Sequence, residues 1–328
     1  MDNAKYISIL KDEMLGFVEL RKSRGLRTSC STMLRGLDRY LVAIGASEKT
    51  LNYTIIDGWI ADSYSELSTN TLKNYILQYT QFSKYLKTLE IDVFVPSHPP
   101  YKPRYVPYIF SDSEITDIFY AADNLRNSNN FIDEIQVPML LRLLYGCGLR
   151  CGEALSLEHS DVDIENGVLR ITNAKGNKER LVPMDETLTS ILAKYINAIR
   201  IHNPCGKYLF ENTRSGKRDG TWTRRWFRIV MQKAGIDMLP PIISNAKQIR
   251  TRNICPNCLR HTFTVNSLRL QIAAGVDVYR STPLLSIYLG HKYLRGTEKY
   301  LHMTAECAED IFASTTAYTK GLFPEVPL

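Results

Sequence analysis

Side chains able to bind and cleave a phosphate diester occur in four short polar segments of the C-terminal two thirds of the chain. Their reactive residues are Arg150, Lys175, Arg260, His291 and Tyr300. Arginine forks match the two non-bridging phosphate oxygens, which gain charge as a nucleophile attacks. A tyrosine hydroxyl can attack in line, while a lysine or histidine protonates the departing oxygen. The set therefore fits transesterification through tyrosine.

The positive field at such a site comes either from a metal ion or from cationic side chains. We identify no carboxylate cluster that indicates a magnesium site, so the arginines and the lysine are expected to supply this field. Each residue also has a common structural role. Arg150 could bind carbonyls at a helix end, Lys175 could belong to an ordinary turn, and Tyr300 could be one of 19 tyrosines.

The order and content of these segments resemble the motifs of the tyrosine recombinase (phage integrase) family. The stretch GLRCGEALSLEHSDVD resembles the family's first arginine box, which makes Arg150 a catalytic arginine and Glu153 its acidic neighbour. The stretch NAKGNKERLVPM resembles the hairpin lysine box and places Lys175 in the catalytic position.

The last two segments resemble the remaining boxes of the family. LRHTF resembles the second arginine box and points to Arg260. LGHKYLRGTEKYLH resembles the terminal box, in which His291 precedes Tyr300 by nine residues. The resemblance implies that Tyr300 is the nucleophile and that His291 is a phosphate ligand or proton donor. His302 is expected to lie outside the site.

One box departs from the family pattern. The family usually carries a histidine three residues before the second arginine, where this chain has Asn257. Asn257 stays a candidate site residue because an amide can bind a phosphate oxygen, although it cannot transfer protons near neutral pH. The proton steps are then expected to depend more on Lys175 and His291. His261, beside Arg260, is predicted to point elsewhere on its helix and to be structural.

The resemblance covers most of the chain and implies a mainly α fold. It implies a helical SAM-like core-binding domain in residues 1–92, a proline-rich basic linker in 93–107 and a mixed α/β catalytic domain in 108–328. The implied activity is site-specific DNA recombination of the integrase or transposase type, through a 3′-phosphotyrosyl link. The implied partners are double-stranded DNA and three further copies of the chain, in a tetramer on two DNA sites. No cofactor is implied.

Two other functions stay open. A DNA-binding regulator on the same scaffold, with weak or lost catalysis, is supported only by Asn257. A type IB-like topoisomerase would use related chemistry without a specific DNA site. The sequence does not separate an integrase or transposase of a mobile element from a chromosome-dimer resolvase or an inversion switch.

The elements that must position these residues can be read from apolar periodicity. Helical spacing of apolar residues recurs through residues 7–20, 33–41 and 72–86, which predicts a domain of four or five helices. Five prolines within residues 96–107 then stop any helix and favour an extended connection.

The C-terminal part of the chain alternates between helical and strand patterns. Asn166-Gly167 and Gly176-Asn177 are turn signals between short β-type segments, which predicts an antiparallel sheet of about three strands. Helices are predicted in residues 114–122, 137–145, 185–201, 221–234, 261–274 and 280–288. Residues 238–254 have no predicted role.

The charge pattern suggests a further candidate binding surface. The net charge is +7, and residues 213–233 carry seven basic residues against one acid, interleaved with Trp222, Trp226 and Phe227. This segment is either a phosphate-binding strip or a solvated helix face with its aromatics in the core.

The seven cysteines are expected to be reduced thiols. A zinc site of Cys147, Cys151, Cys255 and Cys258 is the less favoured alternative. No membrane span or secretory signal is predicted, so a cytoplasmic protein is expected. The family resemblance implies that it is associated with the bacterial nucleoid when bound to DNA.

Overall fold

The chain forms two compact units, Met1–Arg104 and Tyr105–Leu328, each with its own hydrophobic core. The structure is a computed structural model. It describes residues 6–26, 30–66, 69–96, 107–126, 130–172, 179–212, 216–238, 242–244, 247–249, 254–291, 293–298 and 300–301.

The described part of the first unit is helical, as the apolar spacing predicts. Its helices are α1 (Lys11–Ser23), α2 (Ser31–Ala43), α3 (Tyr53–Glu66) and α4 (Thr69–Lys87). The core between them includes Leu10, Met14, Phe17, Met33, Leu34, Leu37, Trp59, Tyr79 and Phe82. Asp38 is buried in this unit because its carboxylate accepts hydrogen bonds from the backbone of Ile7 and Ser8.

The second unit is a helical domain with small antiparallel sheets, so the predicted fold class is confirmed. Its helices are α5 (Asp112–Asp123), α6 (Phe131–Gly146), α7 (Cys151–Ala154), α8 (Glu186–His202), α9 (Gly220–Lys233), α10 (Asn257–Ala273), α11 (Val278–Leu289) and α12 (Arg295–Glu298). Its strands are β1 (Val162–Asp163), β2 (Val168–Ile171), β3 (Arg180–Pro183), β4 (Glu211–Asn212), β5 (Gly216–Lys217), β6 (Ile242–Ser244) and β7 (Lys247–Ile249).

The largest sheet is the antiparallel meander β1-β2-β3 that the turn signals predict. Gly167 adopts a φ of 63° in the turn between β1 and β2, a conformation that glycine accepts at little cost. Leu169 lies opposite Val182 in β3, and both side chains are fully buried in the core. Lys175 and the rest of the β2-β3 connection, residues 173–178, lie outside the described residues.

Helix α9 shows which side chains of the basic segment are buried and which are exposed. Trp226 and Phe227 are buried in the core, while Arg224, Arg225 and Arg228 are exposed on the opposite face. One basic residue of the segment, Arg218, is buried instead and makes an ion pair of 2.6 Å with Asp133 of α6. Trp226 and Phe227 are therefore part of the core, and the three exposed arginines form a basic face accessible to solvent.

Two hairpins have no counterpart in the sequence-based prediction. The first, β4-β5, pairs Glu211 with Lys217. The second, β6-β7, pairs Ile242 with Ile249 and occupies part of the segment to which the sequence assigned no role. Across the described residues, none of the helices combines the length and apolar character that a membrane crossing requires.

Candidate active site

A sharp turn between α6 and α7 sets the position of Arg150. Gly148 in this turn has a φ of +56°, and a Cβ there would lie 2.5 Å from the Phe263 ring, so only glycine fits. Arg150 is the residue before α7, and its backbone N–H donates to Glu153 Oε2 at 3.0 Å. The first predicted box is thus a helix start that fixes an arginine and a glutamate together.

Glu153 is the centre of the arginine cluster. Its carboxylate accepts hydrogen bonds from Arg150 Nη1 at 2.6 Å and Arg180 Nη2 at 2.8 Å, and it lies 3.8 Å from Arg260 Nη1. Burial raises the pKa of this carboxyl, but hydrogen bonds from Arg180 and the Arg150 backbone, with the charges of both arginines, lower it to about 2. Glu153 therefore stays ionised and orients two guanidinium groups.

Arg260 lies in the first turn of α10 and reaches the segment that precedes Tyr300. Its Nη1 donates to the Gly148 carbonyl at 2.6 Å, and its Nη2 donates to the Leu289 carbonyl at 2.8 Å. Burial lowers the pKa of this guanidinium to about 10, aided by the charge of Arg150. Arg260 therefore remains cationic at neutral pH although its side chain is only 4% exposed.

The hydrogen bonds of His291 fix its tautomer. Its Nε2 lies 3.0 Å from Arg260 Nη2, and its Nδ1 lies 2.7 Å from the Thr297 hydroxyl. A guanidinium can only donate, so Nε2 is the acceptor and the ring proton of a neutral imidazole sits on Nδ1. The Thr297 hydroxyl oxygen accepts a hydrogen bond from this Nδ1–H. The imidazole is thereby held beside the arginines in one orientation.

Tyr300 is buried, with 1% of its surface exposed, in a small cluster that includes Val265, Leu285 and Leu289. Burial raises the pKa of its hydroxyl to about 12, while the charges of Arg260 and Arg150 act in the opposite direction. Burial therefore favours the protonated phenol, and the two arginine charges favour the phenolate.

The partner of the tyrosine hydroxyl is a residue that the sequence did not predict. Nδ1 of His261 lies 2.5 Å from Tyr300 Oη. The prediction that His261 points away from the site is therefore wrong. The position of His261 on the helix fixes only the direction of its Cα–Cβ bond. Its contact depends also on the rotamer of the ring and on the placement of Tyr300.

Asn257 stands apart from this cluster in the described contacts. It is the first residue of α10, it is exposed, and its Oδ1 lies 3.8 Å from Cys151 Sγ. Cys255 Sγ and Cys258 Sγ are 3.9 Å apart. Across the residues that the structure describes, no three His, Cys, Asp or Glu side chains are grouped so that they could hold a metal ion.

The structure thus brings together Arg150, Arg260, His291 and Tyr300, which lie up to 150 positions apart in the sequence. Lys175 and His302 lie outside the described residues. Sequence reasoning missed Arg180 and Thr297. The signal for Arg180 was its place in the KER triplet of the lysine box, where it received no role.

Comparison with known proteins identifies the family. Residues 110–306 match the model of the phage integrase family, which covers more than half of the chain. The chain belongs to the phage integrase family. The matched residues include all four boxes and every side chain of the arginine cluster.

Individual members of the family are distant relatives. The chain is 30% identical over 211 residues to the putative integrase/recombinase y4rE of Sinorhizobium fredii, covering 62% of this chain and 64% of that protein. It is 28% identical over 305 residues to the tyrosine recombinase XerD of Oceanobacillus iheyensis, covering 90% and 94%. The chain thus spans less than two thirds of the y4rE protein but nearly all of XerD.

Solved structures of the family share this fold. The XerH site-specific recombinase bound to its difH substrate matches with a TM-score of 0.65 at 17% identity, over 88% of this chain and 78% of that one. At this level of identity the match shows the fold alone.

Proposed function

We propose that the protein is a site-specific DNA recombinase that cuts and rejoins DNA through a 3′-phosphotyrosyl intermediate at Tyr300. Its substrate is double-stranded DNA, and its working unit is a tetramer on two DNA sites. The family and the convergence of the predicted catalytic residues support this activity.

The observation that carries the proposal is the charge imbalance of the arginine cluster. Within the described residues, the guanidinium groups of Arg150, Arg180 and Arg260 surround the single carboxylate of Glu153. Two positive charges therefore remain, and Arg180 and Arg260 are 8% and 4% exposed. Buried charge without compensation is costly, so this site is built to receive an anion. A phosphate diester beside a tyrosine hydroxyl is the anion that fits.

The surface around the site suits a longer polyanion. Helix α9, which carries Arg224 on its exposed face, packs against α7, the helix that begins next to Arg150. Arg225 and Arg228 continue the basic face along α9. We assign this face to contacts with the DNA backbone on either side of the cleaved phosphate. The helical unit of residues 1–92 is assigned to DNA binding as well.

In the proposed mechanism, Arg150 and Arg260 bind the non-bridging oxygens of the scissile phosphate. Tyr300 attacks the phosphorus, the bond to the 5′ oxygen breaks, and Lys175 donates a proton to that oxygen. His291 accepts a hydrogen bond from Arg260 Nη2 and holds that guanidinium in place against the phosphate. The 5′ hydroxyl of the partner strand then attacks the phosphotyrosine and reverses the step. The bond energy is kept in the covalent intermediate, so no nucleotide cofactor is required.

A nicked suicide substrate tests the proposal. The nick lies just beyond the cleavage position, so the short 5′-hydroxyl strand diffuses away and the covalent intermediate cannot rejoin. We expect wild-type protein to accumulate an SDS-resistant DNA adduct, and to do so in the presence of EDTA, because cationic side chains supply the field. The DNA comes from the sequences that flank the gene, where inverted repeats or attachment-like sites identify an integrase or transposase substrate.

Each other outcome selects a different function. Specific binding without an adduct would contradict the recombinase and favour a DNA-binding regulator. Relaxation of supercoiled plasmids of unrelated sequence would favour a topoisomerase. Loss of the adduct in EDTA would contradict the metal-free mechanism alone.

The role of His291 can be tested through Thr297, which does not touch the phosphate in this scheme. Thr297→Val keeps the volume of a fully buried side chain and removes the hydroxyl that bonds His291 Nδ1. We expect cleavage to slow about tenfold, since one lost hydrogen bond is worth about 1–2 kcal/mol. DNA affinity should not change. Thr282→Val is the matched control, because that buried hydroxyl donates to the Val278 carbonyl within α11. Equal effects of both substitutions would contradict the positioning role.

A further inference from the structure

The contact between His261 and Tyr300 is the feature of the site that the proposed mechanism does not use. His261 Nδ1 and Tyr300 Oη are 2.5 Å apart, and the two rings lie 5.5 Å apart at 38°. Tyr300 is 1% exposed, so bulk water has little access to its hydroxyl. The imidazole is therefore in direct contact with the atom that would attack the phosphate.

The position of His261 also compensates for the departure at Asn257. An amide cannot exchange a proton near neutral pH, so Asn257 supplies no acid or base. His261 is four residues further along α10, and residues four apart lie on the same face of a helix. This chain thus offers an imidazole one turn beyond the position at which it carries an amide.

The pKa of the Tyr300 hydroxyl shows why the attack of this tyrosine requires a base. Burial raises the pKa of Tyr300 to about 12, and Arg260 and Arg150 only partly offset this, while Cys258 raises it further. The phenol is therefore protonated at neutral pH, and its attack needs a base. A neutral imidazole can accept that proton on Nδ1 while Nε2 carries the ring hydrogen. Among the described residues, His291 also lies beside the Arg260 guanidinium, and its Nε2 is 3.0 Å from Arg260 Nη2.

We propose that His261 is a catalytic residue, the general base that takes the Tyr300 hydroxyl proton as the tyrosine attacks the phosphate. The proposal rests on the proposed function. As the bond from Tyr300 Oη to phosphorus forms, the phenolic proton moves to His261 Nδ1 and the bond from phosphorus to the 5′ oxygen breaks. That oxygen takes its proton from a separate donor, the ammonium of Lys175. On rejoining, the imidazolium of His261 returns its proton to the leaving phenol oxygen.

The first test is the pH dependence of single-turnover cleavage of the nicked substrate. The wild-type rate should rise with pH through the neutral range and then level off. His261→Asn places an amide oxygen near the position of Nδ1, so it can keep the hydrogen bond but cannot titrate. We expect this variant to lose the neutral-range rise and to cleave about 10²-fold more slowly, the scale of general-base catalysis. DNA affinity and melting temperature serve as folding controls.

A second substrate distinguishes a general base, which acts on the nucleophile, from a general acid, which acts on the leaving group. When sulfur replaces the bridging 5′ oxygen, the departing thiolate needs no proton, so a variant that lacks the acid recovers its rate. We expect His261→Asn to stay slow on this substrate and Lys175→Ala to be rescued. Rescue of His261→Asn would overturn the proposal, because His261 would then act on the leaving group. A wild-type rate in His261→Asn would also overturn it, since the contact would then only position the tyrosine.

The pH dependence of the wild-type cleavage rate is measured without any substitution, so misfolding of a variant cannot affect its result. A cleavage rate without any neutral-range dependence on pH would overturn the role of His261 while leaving the recombinase intact. A wild-type protein that forms no adduct at all would overturn the proposed function and this inference together.

Discussion

Tyr300→Phe is expected to abolish covalent attachment to DNA while leaving DNA binding intact. Phenylalanine lacks the oxygen that attacks phosphorus, which is also the atom that contacts His261 Nδ1. The ring itself can keep its packing against Val265, Leu285 and Leu289. The lost hydrogen bond should cost the fold only about 1 kcal/mol. The effect on the adduct should therefore be complete, and the effect on stability small.

The measurement is the SDS-resistant adduct on the nicked substrate, together with DNA affinity from a native gel shift. Tyr293→Phe is the matched control, because Tyr293 belongs to the same segment but is 67% exposed. We expect the control to form the adduct as wild type does. An adduct that persists in Tyr300→Phe would show that another side chain is the nucleophile, and peptide mapping of the adduct would then identify it.

Glu153→Gln should have the largest effect on stability. The substitution removes the one negative charge that Arg150 and Arg180 share at hydrogen-bonding distance. Breaking a buried ion pair by removing one partner typically costs about 3–5 kcal/mol, because the other charge is left uncompensated. Misplacement of Arg150 by about 1 Å is expected to slow cleavage about 10²-fold as well. Denaturation by urea and single-turnover cleavage measure the two effects.

The pH dependence of stability gives an independent check on Glu153. Its pKa is about 2 in the folded protein against an ordinary value of 4.5, so the folded state binds the proton less tightly than the unfolded state does. This contribution, on the order of 3 kcal/mol, is present above about pH 4.5 and is lost as the pH falls towards 2. Wild type should therefore lose stability in this acid window, and Glu153→Gln should lose correspondingly less.

A surface glutamate provides the control for both measurements. Glu158 pairs with Lys207 at 3.0 Å, and the lysine side chain of that pair is 62% exposed. Solvent screens such a pair, so Glu158→Gln should change stability by no more than about 1 kcal/mol. If the two substitutions had equal effects, the central role assigned to Glu153 in holding the arginines would be wrong.

Much of this protein is determined locally by its sequence. Apolar residues at helical spacing indicate α2 and α4 because each buries one stripe against a core, and a helix brings residues three and four apart onto that stripe. The Asn166-Gly167 pair predicts the β1-β2 hairpin because its turn needs a positive φ. The four boxes identify Arg150, Arg260 and Tyr300, since residue type and order are visible without coordinates.

Hydrogen bonds between residues far apart in the sequence were decided only by the tertiary structure. Arg150 donates to the carbonyl of Gly290, 140 residues away, and Arg180 of strand β3 donates to Glu153 of helix α7. Local periodicity carries no information about such pairs, because they depend on how α7, β3 and the end of α11 pack. His261 shows the same limit within a single box. Its place next to Arg260 was evident from the sequence. Its contact with Tyr300 depends on how the segment that carries Tyr300 packs against α10, and only the tertiary structure shows that packing.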